Sequence, residues 1–272
     1  VFTKKTPSSD ILVKQKSSIF HKLLIWLRAN LFIPDSRCFW IQPSINFLHN
    51  YLQTNPVDVV ISTGPPHSMH MIAFGLQKKH NIKWIADFRD PWTDIEYFDN
   101  LPLLSMNRKK HIKMEKRVVC NADVVLTVSQ SWANDFMNMG AKKTFVLTNG
   151  YDAEDYSCYP YKKTSNEFNI GHFGLYNKLR DHSFFWETLQ CLSKNISDFN
   201  SNLKFTFSGE VHANFFNQMK SFQFDSKLEY PTYLNHKESI KKMIQCDLLL
   251  VSQGNEKAVS GRIPAKLFEY LA

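Results

Sequence analysis

The sequence has no run of about 18 consecutive apolar residues, the length a membrane-spanning helix needs, so no such helix is expected. Its five cysteines, Cys38, Cys120, Cys158, Cys191 and Cys246, include no CxxC pair. An odd number at scattered spacing argues against a disulfide framework or a zinc site and reads as reduced thiols in a cytosolic protein. No spacing of His, Cys and carboxylates matches a strong metal site, so no metal and no other cofactor is expected. Short-period repeats and low-complexity segments are absent, which argues against a solenoid or a fibrous chain. There is no initiator Met and no signal peptide at the start. Acidic residues are in deficit, 25 Asp and Glu against 33 Lys and Arg, for a net charge of +8. That balance favours anionic partners: nucleotides, phosphates, nucleic acid or an acidic membrane surface.

What the chain does have is 272 residues, 43% of them hydrophobic, with 22 Phe. That is enough for one large or two modest domains with a sizeable core. Residues 1–16 are polar and read as a loop or tail. From Ser17 to Phe32 apolar residues recur at helical spacing, interrupted by Lys22 and Arg28. Such a helix suits a domain surface or, by its basic-plus-Trp pattern, an anionic lipid surface. Strands are then expected at Val57–Thr63, Lys83–Arg89, Asp123–Ser129 and Phe145–Thr148. Helices are expected at His67–His80, Met106–Asn121 and Ser131–Met139. After Asn149-Gly150 a polar, Tyr-rich stretch to Asn166 reads as a linker. A second alternation follows, with strands at Phe168–Phe173, Leu203–Ser208, Leu228–Leu234 and Asp247–Ser252. Its helices are expected at His182–Asn195, Asn214–Phe222, Glu238–Gln245 and Ile263–Ala272. Apolar strands alternating with helices predict parallel sheets covered on both faces. The fold class is therefore α/β with two units, 1–152 and 153–272.

In such sheets ligands bind at the carboxyl ends of the strands, and polar motifs recur there. Thr63-Gly64-Pro65-Pro66-His67-Ser68 follows the first strand: Gly64 permits close backbone approach, and His67 and Ser68 offer polar groups near a helix start. A plain turn with Ser68 as N-cap is the alternative. Asp87, Arg89 and Asp90 bracket Phe88 at the end of the next strand. An Asp there suits accepting a proton from an attacking hydroxyl, with Arg89 holding it or binding an anionic acceptor; a self-satisfied Asp–Arg pair is the alternative. Arg108, Lys109, Lys110, Lys113, Lys116 and Arg117 crowd one helix with His111 and Glu115, which reads as a solvated face or an electrostatic contact to phospholipid or an anionic acceptor. Without interleaved aromatics or a known motif, nucleic acid is not the expected partner. In the second unit Gly174 ends a strand and is followed by Lys178 and Arg180, an arrangement suited to a diphosphate. Ser208-Gly209-Glu210 closes the next strand in the same way. Near the C-terminus, Lys266 and Glu269 share one face of a helix that begins at Pro264, which suits a phosphate and a sugar hydroxyl.

Four motifs in order resemble the family 4 glycosyltransferases of bacteria: Asp58-Val-Val-Ile-Ser-Thr-Gly-Pro-Pro-His-Ser68, Trp84-Ile-Ala-Asp-Phe-Arg-Asp-Pro-Trp92, Asn149-Gly-Tyr-Asp152 and Ser260-Gly-Arg-Ile-Pro-Ala-Lys-Leu-Phe-Glu-Tyr-Leu271. The resemblance starts near Leu27 and takes in Arg28-Ala-Asn-Leu-Phe-Ile-Pro-Asp35. It implies a GT-B architecture: two Rossmann-like domains facing a cleft, both incomplete in this chain, the first on the acceptor side and the second holding a nucleotide diphosphate sugar. It implies metal-independent, retaining transfer to a glycan or lipid-linked acceptor in surface polysaccharide assembly, on the cytoplasmic side of the membrane. Glu269 matches the family glutamate that bonds the donor ribose, while the partner glutamate position falls on Gly261. Amides near Arg262 and Ile263, with Lys266, are implied at the donor phosphates, and Arg180 resembles the diphosphate-binding cation. A GT-B enzyme has about 350–400 residues by two-domain size, so this chain is expected to be a fragment with weak activity or none by itself. A sugar-nucleotide epimerase of the same architecture and a non-catalytic binding module are the rival readings.

Overall fold

The computed structural model describes residues 19–95, 98–157, 166–254 and 261–272, and the side chain of Leu179 is left out. The expected tail at 1–16, half of the expected linker and residues 255–260 lie outside the described residues. The chain divides into two compact units, 1–149 with 256–263, and 150–255 with 264–272.

The first unit holds a parallel sheet in the order β1 (Val59–Gly64), β2 (Lys83–Phe88), β3 (Val124–Thr127), β4 (Thr144–Val146). Trp84, Ala86 and Phe88 of β2 are fully buried, as the central position of that strand demands. Helices α1 (Ile19–Leu31), α2 (Ile41–Thr54), α3 (Ser68–His80), α4 (Ser105–Asn121) and α5 (Gln130–Met139) accompany it. Ser129 caps α5 through the Trp132 N–H, and Gly140 ends it in the left-handed region, so both ends have chemical signals. Helix α2 was not expected. Its apolar side chains Ile41, Ile45, Leu48 and Leu52 pack with Ile72 and Leu76 of α3. A Cβ on Gly75 would meet the Ile45 side chain at 2.4 Å, so that glycine lets the two helices close up.

The second unit holds a parallel sheet in the order β7 (Leu228–Glu229), β6 (Leu203–Ser208), β5 (Phe168–Phe173), β8 (Leu248–Leu249). Its helices are α6 (Ala153–Tyr156), α7 (Ser183–Asn195), α8 (Ser197–Asn202), α9 (Phe215–Ser221), α10 (His236–Ile244) and α11 (Ala265–Leu271). A reciprocal capping box between Asn235 and Glu238 starts α10, two residues before the expected start. Strand β7 is much shorter than the Leu228–Leu234 expected from apolar pattern. Pro231 has no N–H to give a ladder, and Thr232 turns the chain at φ 62°. Strand β8 is likewise shorter than Asp247–Ser252. A ring-rich core of Trp186, Phe205, Phe207, Phe215 and Phe224 fills the unit.

Candidate functional site

Polar side chains gather at the carboxyl ends of the strands in each unit. In the first, Thr63 and Asp87 are register partners on β1 and β2, and the Thr63 hydroxyl donates to Asp87 Oδ2 at 2.8 Å. Asp90 is half-buried just beyond. The exposed Arg89 donates from its backbone to the Gly64 carbonyl at 3.2 Å and from its guanidinium to the Pro65 carbonyl. It ties the β2 loop to the proline loop, and no Arg89–Asp ion pair stands among the described residues. Gly64 has a different use from the one expected. A Cβ there would lie 2.5 Å from His70 Nε2 and 3.1 Å from His67 Nδ1, so the glycine makes room for two histidine rings.

Those rings are inside the unit. His67 is 5% exposed and stacks on Trp92, centroids 4.6 Å apart and planes 2° apart. Both its ring nitrogens lack a partner. Burial lowers its pKa to about 4, with the His111 and Arg89 charges adding to the fall and Asp35 opposing it, so the ring is neutral near pH 7. His70 is buried against Phe88 and shares a hydrogen bond with Ser62 Oγ at 2.8 Å; the same oxygen accepts from Trp84 Nε1. Burial holds its pKa well below the usual value. Packing is what His70 does here. Ser68 is not the N-cap of α3: its N–H and hydroxyl donate to Asp35 at 2.8 and 3.0 Å. Asp35, from the loop after α1, thus supplies the anionic cap that the local sequence lacks.

Beneath this loop lies a pair the sequence placed on a solvated face. His111 and Glu115 of α4 are buried. Glu115 accepts the Trp92 N–H at 2.9 Å and the Thr93 hydroxyl, and burial raises its pKa. His111 Nδ1 accepts from Trp92 Nε1 at 3.0 Å, a role only the neutral ring can fill; burial lowers its pKa to about 4, with Lys110 adding to the fall. The cations of α4 point the other way, so the helix has a buried polar face and a basic exposed one. Glu115→Ala leaves the buried Trp92 N–H and the half-buried Thr93 hydroxyl unpaired and is expected to cost about 2–4 kcal/mol, while Glu115→Gln keeps an acceptor and loses less; chemical denaturation of both variants checks this.

In the second unit β5 and β6 end in glycines with positive φ, Gly174 at 114° and Gly209 at 107°. A Cβ on Gly209 would strike the Gly174 carbonyl oxygen at 2.6 Å. Lys266 Nζ lies 3.0 Å from where a Cβ on Gly174 would stand, so the ammonium sits directly over that backbone. Burial and the Arg180 charge lower the Lys266 pKa to about 8, against the pull of Glu269. Arg180 donates to the Leu175 carbonyl at 3.4 Å. Below them His172 is buried, bonded through Nδ1 to the Leu250 carbonyl at 2.9 Å, with its pKa lowered to about 4 by burial and then by Lys266. Tyr270, whose role the sequence did not show, accepts the Phe173 N–H at 2.9 Å. It fastens α11 to the end of β5 and so sets Lys266 and Glu269 beside Gly174.

The structure brings Gly174, Gly209, Arg180, Lys266 and Glu269 to one edge of the second unit. Arg262 and Gly261 fall in the segment grouped with the first unit. A Cβ on Gly261, at φ 91°, would lie 2.7 Å from the Trp132 ring and 3.0 Å from Ser129 Oγ, so a glutamate could not stand at that position without displacing Trp132.

The family model for Glycosyltransferase Family 4 matches residues 6–155, more than half of the chain. The chain belongs to Glycosyltransferase Family 4. Among curated protein sequences no match to this family 4 chain was found. Among solved structures it is similar in fold to sucrose-phosphate synthase from Thermosynechococcus elongatus (12% identity, TM-score 0.55, covering 80% of this chain and 56% of that one). It is also similar to the E. coli trehalose-6-phosphate structure bound with UDP-2-fluoro glucose (13%, 0.56, 85% and 59%), and to the apo lipopolysaccharide outer core galactosyltransferase WaaB (13%, 0.52, 83% and 57%). These similarities establish the two-sheet GT-B fold for the family 4 chain, which spans under three fifths of the length of each of the three.

Proposed function

We propose that the protein transfers a sugar from a nucleotide diphosphate sugar to a hydroxyl of a glycan or lipid-linked acceptor, with retention, in surface polysaccharide assembly at the cytoplasmic face of a membrane. The observation that carries the reading is the cradle of Gly174, Gly209 and Lys266. Two closely apposed glycine turns at the carboxyl edge of the sheet, with a half-buried ammonium directly over one of them, bring a cation to main-chain turns, chemistry that suits a diphosphate. Lys266 and Arg180 would stabilise the charge that builds on the leaving diphosphate as the glycosidic bond breaks, and Glu269 would accept from the ribose. In the first unit, Asp87 and Asp90 are the acceptor-side carboxylates, with Arg89 and the Gly64–Ser68 loop as positioners. His67 would support that loop from within as a neutral ring stacked on Trp92. Family membership supports the reaction class, and the sugar nucleotide bound in the E. coli neighbour makes UDP the first donor to test.

Calorimetry with UDP and GDP tests this. One of them is expected to bind at micromolar affinity, with Glu269→Ala and Lys266→Ala each weakening it about tenfold, the scale of a charged hydrogen bond. Binding also restores the Lys266 ammonium. Near pH 8 it is expected to take up to about half a proton, read as a dependence of the enthalpy on buffer ionisation, and Lys266→Ala is expected to remove that uptake. Binding that ignores both substitutions would place the nucleotide elsewhere and sink the reading of this edge.

A further inference from the structure

Helix α1 is anchored at one end, and most of its other residues are exposed. Its only buried residue is Asn30. The Asn30 side chain donates to the Pro102 carbonyl at 2.9 Å and accepts from the Leu104 N–H at 2.8 Å and from Asn107 Nδ2 at 2.9 Å. That clamp joins the end of α1 to the start of α4. Outward from it stand large apolar side chains: Ile19 is 87% exposed, Phe20 67%, Leu31 65% and, on α4, Met106 73%. The exposed cations Lys109, Lys110 and Lys113 follow Met106 along α4, and Lys22 lies on α1. Neither helix has an acidic residue except Glu115, which is buried.

We infer that α1 and the exposed side of α4 form one docking surface for an anionic phospholipid bilayer. Apolar and aromatic side chains enter the interface while adjacent lysines meet lipid phosphates, and such binding needs both signals together. A second copy of the chain fits less well: a symmetric contact through this surface would set the same lysines against each other with no carboxylate to offset them. Nucleic acid would use the lysines and leave the apolar helix uncovered. The surface places the protein where a lipid-linked acceptor would lie, but vesicle binding needs neither donor nor acceptor. Failure of the nucleotide calorimetry and failure of docking are therefore separate results.

The test is co-sedimentation of the protein with vesicles of phosphatidylcholine alone and of phosphatidylcholine with phosphatidylglycerol, over a salt series. Two double variants are compared with the parent: Phe20→Ser with Leu24→Ser, and Lys109→Glu with Lys113→Glu. Binding to the anionic vesicles only, weakened by salt and reduced about tenfold or more in each variant, is the expected result. All substituted side chains are exposed, circular dichroism checks that the fold is kept, and the salt series on the parent needs no variant. No binding to either vesicle, equal binding to both, or an unaltered serine variant would overturn the proposal. So would a dimer that the serine variant dissolves while the parent ignores vesicles.

Discussion

Taking the protein from about pH 7.5 to about pH 5 is expected to remove roughly 2 kcal/mol of stability for each of His67, His111 and His172. All three are buried with folded pKa values lowered to about 4, while the unfolded chain titrates near 6.5. A lowered folded pKa gives stability that is fully present above the unfolded value and is lost as the pH falls towards the folded one. Acid therefore favours the unfolded chain, which binds protons the folded rings refuse. His70 acts with the same sign. Glu115 acts with the opposite sign, because its raised pKa gives stability that is present at low pH and lost as the pH rises. The first unit has three of the four histidines and is expected to be the more acid-sensitive. Urea unfolding followed by tryptophan fluorescence at both pH values reads the loss. His67→Phe can still stack on Trp92 and has no proton to take up, so its stability is expected to fall by roughly 2 kcal/mol less than the parent's over the same interval. An identical fall in both proteins would show that His67 is not held neutral by burial.

Gly209→Ala is expected to cost about 2–4 kcal/mol and to abolish nucleotide binding. Two penalties act at once. The residue sits at φ 107°, where an L side chain is strained, and the new methyl carbon would lie 2.6 Å from the Gly174 carbonyl oxygen and 2.9 Å from its carbonyl carbon and Cα. All three are backbone atoms at the end of a central strand and have little freedom to retreat. Relief requires the β5 turn to move, and that turn carries the backbone under Lys266. By contrast, a Cβ on Gly150 meets nothing within 4 Å, so Gly150→Ala is the control that keeps both stability and binding. Chemical denaturation and UDP calorimetry on the two variants separate the cases. A Gly209→Ala protein that melts and binds like the parent would contradict the close approach of the two turns.

Period and apolarity located β5 and β6 to the residue, because Phe168 and Ile170 in one and Leu203, Phe205 and Phe207 in the other recur at the two-residue period of a strand. The same rule over-extended β7, where Pro231 and the positive-φ Thr232 stop the ladder, and it over-extended β8. It passed over α2, whose helical spacing of Ile41, Ile45, Leu48 and Leu52 sits among polar residues and a proline in the first turn. At the candidate sites the residue types were visible, but their neighbours were not. Asp87, Arg89, Gly174, Gly209, Lys266 and Glu269 stand at strand ends or beside them, where the alternation put them. Asp35, Glu115, His111 and Tyr270 act across long stretches of chain, and nothing local marks them.

By itself the sequence determined the α/β class, the parallel strands, the family and the charge that favours anionic partners, since each depends on residue type and spacing along the chain. Tertiary structure alone decided that His67 and His70 are buried and neutral, that Glu115 lies inside a helix otherwise lined with cations, and that Lys266 lies over Gly174. It also joined an apolar helix to a basic one through Asn30 and Asn107. Burial, proton affinity and contact across dozens of residues arise from which surfaces meet, and that is set only when the chain packs.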